Sequence, residues 1–169
     1  TWSKVTHVGI AVWLRFPDSN SDRLCILESH AMKGVRLAPL SDVLQTDYWR
    51  HGGNVNWQPI LHESGLHGEN VAANALRKWN KSYANWYQFL VLGSMTLKTI
   101  RYLRNKSMDT DDNCQHCSEL VTRALVEDGY KHDKDPSITT PAEVAKFSCL
   151  HSPIRLEPCL KFSEKPWIQ

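Results

Sequence analysis

The hydrophobic residues of this chain change period once, near Glu69, and that change restricts the fold more than any other feature of the sequence. Ahead of it the runs are short and β-like. Residues 5–14 are rich in β-branched and apolar side chains, and 23–28 form a second such run. Between them lies Phe16-Pro17-Asp18-Ser19-Asn20-Ser21-Asp22, dense in turn formers, so the opening reads as a hairpin. Residues 35–40, entered through Gly34, read as a third strand and 47–51 as a fourth, before Gly52-Gly53-Asn54 breaks the pattern. After Glu69 the spacing is helical. Val71, Ala72, Ala75, Leu76 and Trp79 share a face, and a second helix is expected over 84–104, weakest at Gly93 and Ser94. Cys117, Leu120, Val121, Ala124 and Leu125 then recur at i, i+3, i+4, i+7 and i+8, a stripe closed by Gly129. Thr140-Pro141-Ala142-Glu143 is a capping box with proline at the first helical position. Strands first and helices second predict an α+β fold.

The 169 residues suit a single domain able to bury one core. Hydrophobic residues at 41% and charged residues at 22% give a globular balance, which argues against disorder. A net charge of +2, with scattered basic residues and only a short local cluster at Arg101, Arg104 and Lys106, argues against nucleic acid as a partner. The apolar stretches 8–14 and 89–92 fall far short of the roughly 20 residues of a membrane-spanning helix. No retained signal peptide is expected, and the first residue is Thr, so processing of the chain stays open. Five cysteines, an odd number, fit a reducing compartment and lean towards an intracellular setting, with a Cys149–Cys159 pairing left open.

Cys117 opens the amphipathic stripe. A thiol at a helix N-terminus meets unsatisfied N–H groups and the positive end of the helix dipole, both of which favour thiolate. On spacing alone, a buried core cysteine is the commoner explanation. A thiolate nucleophile needs a base, and His7 stands out among eight histidines because it interrupts an apolar run. Glu28 ends another apolar run, Leu24-Cys25-Ile26-Leu27. A turn centred on Pro17 and Asp18 sets His7 directly across from Glu28. A carboxylate on one ring nitrogen fixes the tautomer and leaves the other nitrogen for the thiol. A change of register would offer Ser29 or His30 instead, and a His–Glu pair at a sheet edge also arises without function.

Three groups of residues occur in a telling order. They are Thr6-His7-Val8-Gly9-Ile10; then Leu27-Glu28-Ser29 with Lys33-Gly34-Val35-Arg36 and Pro39-Leu40; then Cys117-Ser118-Glu119-Leu120-Val121. Together they resemble the permuted branch of the NlpC superfamily of papain-like enzymes, where the histidine strand and an acidic residue precede the cysteine helix. The Glu-Ser stretch and its Lys-Gly-Val-Arg continuation are especially similar to the poxvirus member and bacterial relatives, and Thr140-Pro141 to the element after the cysteine helix. The resemblance spans about 6–40 and 114–148. It implies a papain-like core, a small antiparallel β-barrel or sheet packed on helices, and the length of chain between Glu28 and Cys117 suggests a helical insertion at about 55–110. It also implies Cys117 as nucleophile, His7 as general base and Glu28 as orienting acid, acting on amide, peptide or ester bonds without metal or cofactor. Two departures stand out: six residues precede His7, too few for the family's usual additional strand, and the stretch from Glu28 to Cys117 is long.

Three functions therefore compete. The first is a cysteine hydrolase (amidase, thiol protease or acyltransferase) working through an acyl-enzyme. The second is a catalytically silent papain-like module, whose incomplete barrel edge is covered by a protein partner. The third is a zinc module built on Cys114-Gln115-His116-Cys117 with Cys149 and His151, which one C-x-x-C supports weakly. Cys114 is also the rival nucleophile: with Asp112 as N-cap it would lie nearer the helix start than Cys117. Trp13, Trp79 and Trp86 are expected in the core, Trp49, Trp57 and Trp167 are open between groove and core, and His62 and His67 are expected in solvent.

Overall fold

The computed structural model describes residues 5–16, 21–30, 33–45, 52–79, 82–83 and 114–157. It is a mixed α+β structure. Strands β1 (Ile10–Phe16), β2 (Ser21–His30) and β3 (Gly34–Pro39) form an antiparallel sheet in that order. Leu40, expected to end β3, instead opens a four-residue helix, α1 (Leu40–Val43). Strand β4 (Val55–Trp57) pairs antiparallel with β7 (Ile154–Leu156), so the expected helical insertion begins with a strand. Helix α2 (Gly68–Leu76) follows, and the short β5 (Ser82–Tyr83) pairs in parallel with β6 (Cys114–Gln115). Helix α3 (Cys117–Glu127) and the one-turn α4 (Pro141–Val144) follow, and short 3-10 turns lie at His62–Ser64 and Pro136–Ile138. The expected strand at 47–51, the helix at 84–104, and Trp49, Trp86, Cys159 and Trp167 lie outside the described residues.

Helix α3 forms where its stripe predicts. Leu120, Val121, Ala124 and Leu125 are buried against Val71 and Ala75 of α2 and against Leu27 and Val35 of the sheet. Each fully buried leucine contributes about 1.5–3 kcal/mol by leaving water, which is what seats α3 on the inner face of the sheet. The helix ends at Asp128, and Gly129 follows at a φ of 106°, a left-handed conformation that glycine adopts without steric cost. The capping box is present as read: Thr140 Oγ1 accepts from the Glu143 N–H, and Glu143 Oε2 accepts from the Thr140 N–H.

The hairpin differs from expectation in register. Ile10 pairs with Leu27 and Phe16 with Ser21, so one further step brings Gly9, not His7, opposite Glu28. His7 precedes β1 altogether, lying in irregular chain ahead of Ile10. Two of the aromatic residues expected in the core are also outside it: Trp13 on β1 is 68% exposed and Trp79, past the end of α2, is 54% exposed. No helix among the described residues is long and apolar enough to cross a membrane.

Candidate active site

Cys117 is the first residue of α3 and is 5% exposed. It is brought to the sheet by two sets of contacts. From below, α3 packs on β2, and the Ser29 hydroxyl donates to the carbonyl of Gln115, which ties the strand entering α3 to β2. From the far side, Ser118 Oγ donates to the Thr139 carbonyl at 2.6 Å. The helix starts at 117 and not near 114, because Cys114 and Gln115 are drawn into β6 and His116 becomes the N-cap. Cys114 therefore stands on a strand, three residues ahead of the helix start, which removes the capping argument that favoured it.

His116 is fully committed despite lying next to Cys117. Its Nε2–H donates to the Ser137 carbonyl at 2.7 Å, and a carbonyl can only accept. That leaves Nδ1 unprotonated, and it accepts the Glu119 N–H at 3.3 Å. The ring is a structural cap with both nitrogens engaged. In the first turn of α3, His116 thus occupies the Glu119 N–H through its side chain and the Leu120 N–H through its carbonyl. The N–H groups of Cys117 and Ser118 belong to the first turn and have no intrahelical acceptor.

His7 joins the cysteine to the carboxylate. Its Nε2–H donates to Glu28 Oε2 at 2.7 Å, and Cys117 lies near enough to the ring to raise its pKa. With Nε2 taken by Glu28, Nδ1 is the nitrogen left for sulfur. Burial pulls the His7 pKa down, but Cys117 and Glu28 outweigh it and hold the imidazole at about 9, against an ordinary 6.5. Glu28 is 0% exposed. Burial pushes its carboxyl up, while His7 and then Arg36 pull it down to about 2. Arg36, directly opposite Glu28 on β3, donates from Nε at 2.8 Å and from Nη2 at 2.5 Å to Oε1. Burial is the main force that pushes the thiols of Cys25 and Cys149 up, and both are free and buried.

The chain was compared with models of protein families, with curated proteins and with solved structures, and it matches none of them.

Cys117, His7 and Glu28, the three residues singled out from the sequence, are thus brought together, though by a different register from the one expected. Three participants were missed. Arg36 has a legible signal, because antiparallel pairing of the second and third apolar runs sets it opposite Glu28 with complementary charge. Gly9 has a weaker one, a residue without a side chain two positions from His7. The capping role of His116 depends on Ser137, 21 residues away, and has no local signal. Among the described residues no group of three His, Cys, Asp or Glu side chains is placed to hold a metal ion, and His62 and His67 are exposed.

Proposed function

We propose that this chain is a cysteine hydrolase of amide, peptide or ester bonds, papain-like and permuted in order, with Cys117 as nucleophile, His7 as acid and base, and Glu28 as the group that orients His7. The observation that carries this reading is the single imidazole that bonds a buried carboxylate and has its pKa raised by a helix-terminal thiol beside it. The Cys117 sulfur, its proton passed to His7, attacks the carbonyl carbon, and the developing oxyanion meets the N–H groups of the first turn of α3 that lack an intrahelical acceptor. His7 returns the proton to the leaving nitrogen or oxygen as the carbon–heteroatom bond breaks, giving a thioester. Water, deprotonated by His7, then attacks the thioester, and the sulfur leaves and takes its proton back from His7. An acyl acceptor in place of water would make the same site an acyltransferase.

Labelling with a limiting amount of iodoacetamide at neutral pH, read by peptide mass spectrometry, tests this reading. Cys117 should react before Cys25 and Cys149, whose thiols burial keeps protonated. Loss of that preference in His7→Ala, together with release of dye from small thioester or amide substrates by the parent but not by Cys117→Ala, completes the case. An inert Cys117 would overturn it.

One observation favours a silent binding module instead. Strand β1 is an edge of its sheet among the described residues, and it carries the exposed Trp13. That reading takes precedence if Cys117 does not react and Trp13→Ala abolishes a self-association or co-purification that the parent chain shows.

A further inference from the structure

Glu28 divides its two oxygens. Oε2 receives the His7 Nε2–H at 2.7 Å, and Oε1 receives Arg36 through both Nε (2.8 Å) and Nη2 (2.5 Å). The carboxylate is 0% exposed and the Arg36 side chain 15% exposed, so this is a built arrangement and not a surface pair. Arg36 also faces Glu28 directly in the β2–β3 ladder, so the backbone register delivers the guanidinium to it. Among the described residues, the charged and titratable groups facing Glu28 are His7, from the segment ahead of β1, and Arg36, from β3; Cys117, from α3, faces His7.

We propose that Arg36 is a positioning residue of the site: its two N–H groups, closing on one carboxylate oxygen, turn the other oxygen towards His7 and hold it there. The proposal rests on the hydrolase reading for its catalytic meaning, but the geometry can be tested without it.

Charge and orientation predict opposite signs. Considered only as a positive charge, Arg36 offsets part of the Glu28 field at His7, so deleting it should raise the His7 pKa. Considered as an orienting fork, Arg36 keeps a buried carboxylate ionised and aimed. Deleting it lets the carboxylate rotate away or take up a proton, because a buried carboxylate with one partner fewer is driven towards its neutral form. A turned or neutral Glu28 no longer holds the imidazolium, and the His7 pKa should fall. Orientation outweighs charge here because Glu28 has no exposure to water that would replace the lost bonds.

The test is a side-chain NMR titration of His7 in the full chain, with the parent compared to Arg36→Met and Arg36→Lys. The His7 pKa should fall by about one unit or more in Arg36→Met. It should fall by less in Arg36→Lys, which keeps the charge but cannot make the paired bonds of a guanidinium. In a Glu28→Gln background, Arg36→Met should add little, because its effect runs through Glu28. A His7 pKa that rises or stays unchanged in Arg36→Met overturns the proposal. If that variant does not fold, Arg36→Lys decides by the same direction of shift. No substrate enters the measurement, so a chain whose Cys117 resists iodoacetamide would refute the hydrolase reading and still answer the question about Arg36.

Discussion

His7 reaches Glu28 on the diagonal, 2.7 Å from ring nitrogen to carboxylate oxygen, past the position of Gly9. A diagonal neighbour in a hairpin is farther than a direct one, and a side chain between them would fill the gap. Gly9 leaves that gap open. A Cβ there would stand 2.8 Å from Ile26 Cδ1, closer than real Cβ atoms approach, and 3.2 Å from Glu28 Cβ, tighter than most such contacts.

Gly9→Ala should therefore widen the spacing between His7 and Glu28. We expect a loss of about 1–2 kcal/mol in urea denaturation, the scale of a modest overpacking, and a larger proportional loss of Cys117 reactivity. Because the nearest obstruction is the end of the Ile26 side chain, adding Ile26→Ala should relieve part of it. The double variant should then be less destabilised than the sum of the two single ones. Strict additivity would show that the close approach at Gly9 has no bearing on the site.

The register error has a physical reason. The expected pairing of residue 7 with 28 and the observed continuation of 9 with 28 differ by two residues. Side chains alternate with a period of two, so a slip of two keeps every residue on its own face and the hydrophobic pattern cannot reject it. The same arithmetic explains why Glu28 survived the error, since His7 stays on the same face and only moves from direct to diagonal. Helix α3 and the box at Thr140 were legible because each is written in a few consecutive residues, as a stripe at i+3 and i+4 and a reciprocal cap. The exposed Trp79 was not legible. It continues the apolar face of α2 in sequence, but the helix stops at Leu76 and the face ends with it.

Glu28→Gln separates fold from chemistry. The amide keeps a carbonyl oxygen for Arg36 but loses the charge that both neighbours use. Stability should drop by about 1–3 kcal/mol, the cost of weakening buried charged hydrogen bonds, while the chain stays folded by circular dichroism. Turnover should fall by more than that stability loss accounts for, because the amide does not stabilise the imidazolium. His7→Ala should cost more still, about a hundredfold or greater, since the acid–base group itself is gone. Equal activity of Glu28→Gln and the parent chain would remove Glu28 from the site.

His116 offers a control placed beside the nucleophile. Both of its nitrogens are engaged, one as cap of α3 and one on the Ser137 carbonyl. Asparagine is a good N-cap, so His116→Asn should retain α3 and leave the iodoacetamide preference for Cys117 in place. His116→Ala should instead cost about 1–3 kcal/mol, from the lost cap and an unpaired buried carbonyl. If His116→Asn abolished Cys117 reactivity as fully as His7→Ala, the base would be His116 and the assignment of His7 would fall.

The pH dependence follows from the same contacts, with opposite signs for the two partners. His7 is held at about 9, above its ordinary 6.5, so its contribution to stability is complete below 6.5 and is lost as pH rises through about 9. Glu28 is held at about 2, below its ordinary 4.5, so its contribution is complete above 4.5 and is lost as pH falls towards 2. Each shift corresponds to roughly 3 kcal/mol, and because both describe largely one ion pair the two are not added. Urea midpoints should therefore form a plateau between these windows and decline on either side. In His7→Ala the decline above 6.5 should flatten. Catalysis should share the alkaline limb, since the leaving group takes its proton from the imidazolium, and turnover should fall as pH passes about 9. Among the forces that raise the His7 pKa, the interaction with Cys117 comes first, so Cys117→Ser should move the stability decline to lower pH. Parent and His7→Ala chains losing stability in parallel from 6.5 to about 9 would show that His7 carries no such interaction.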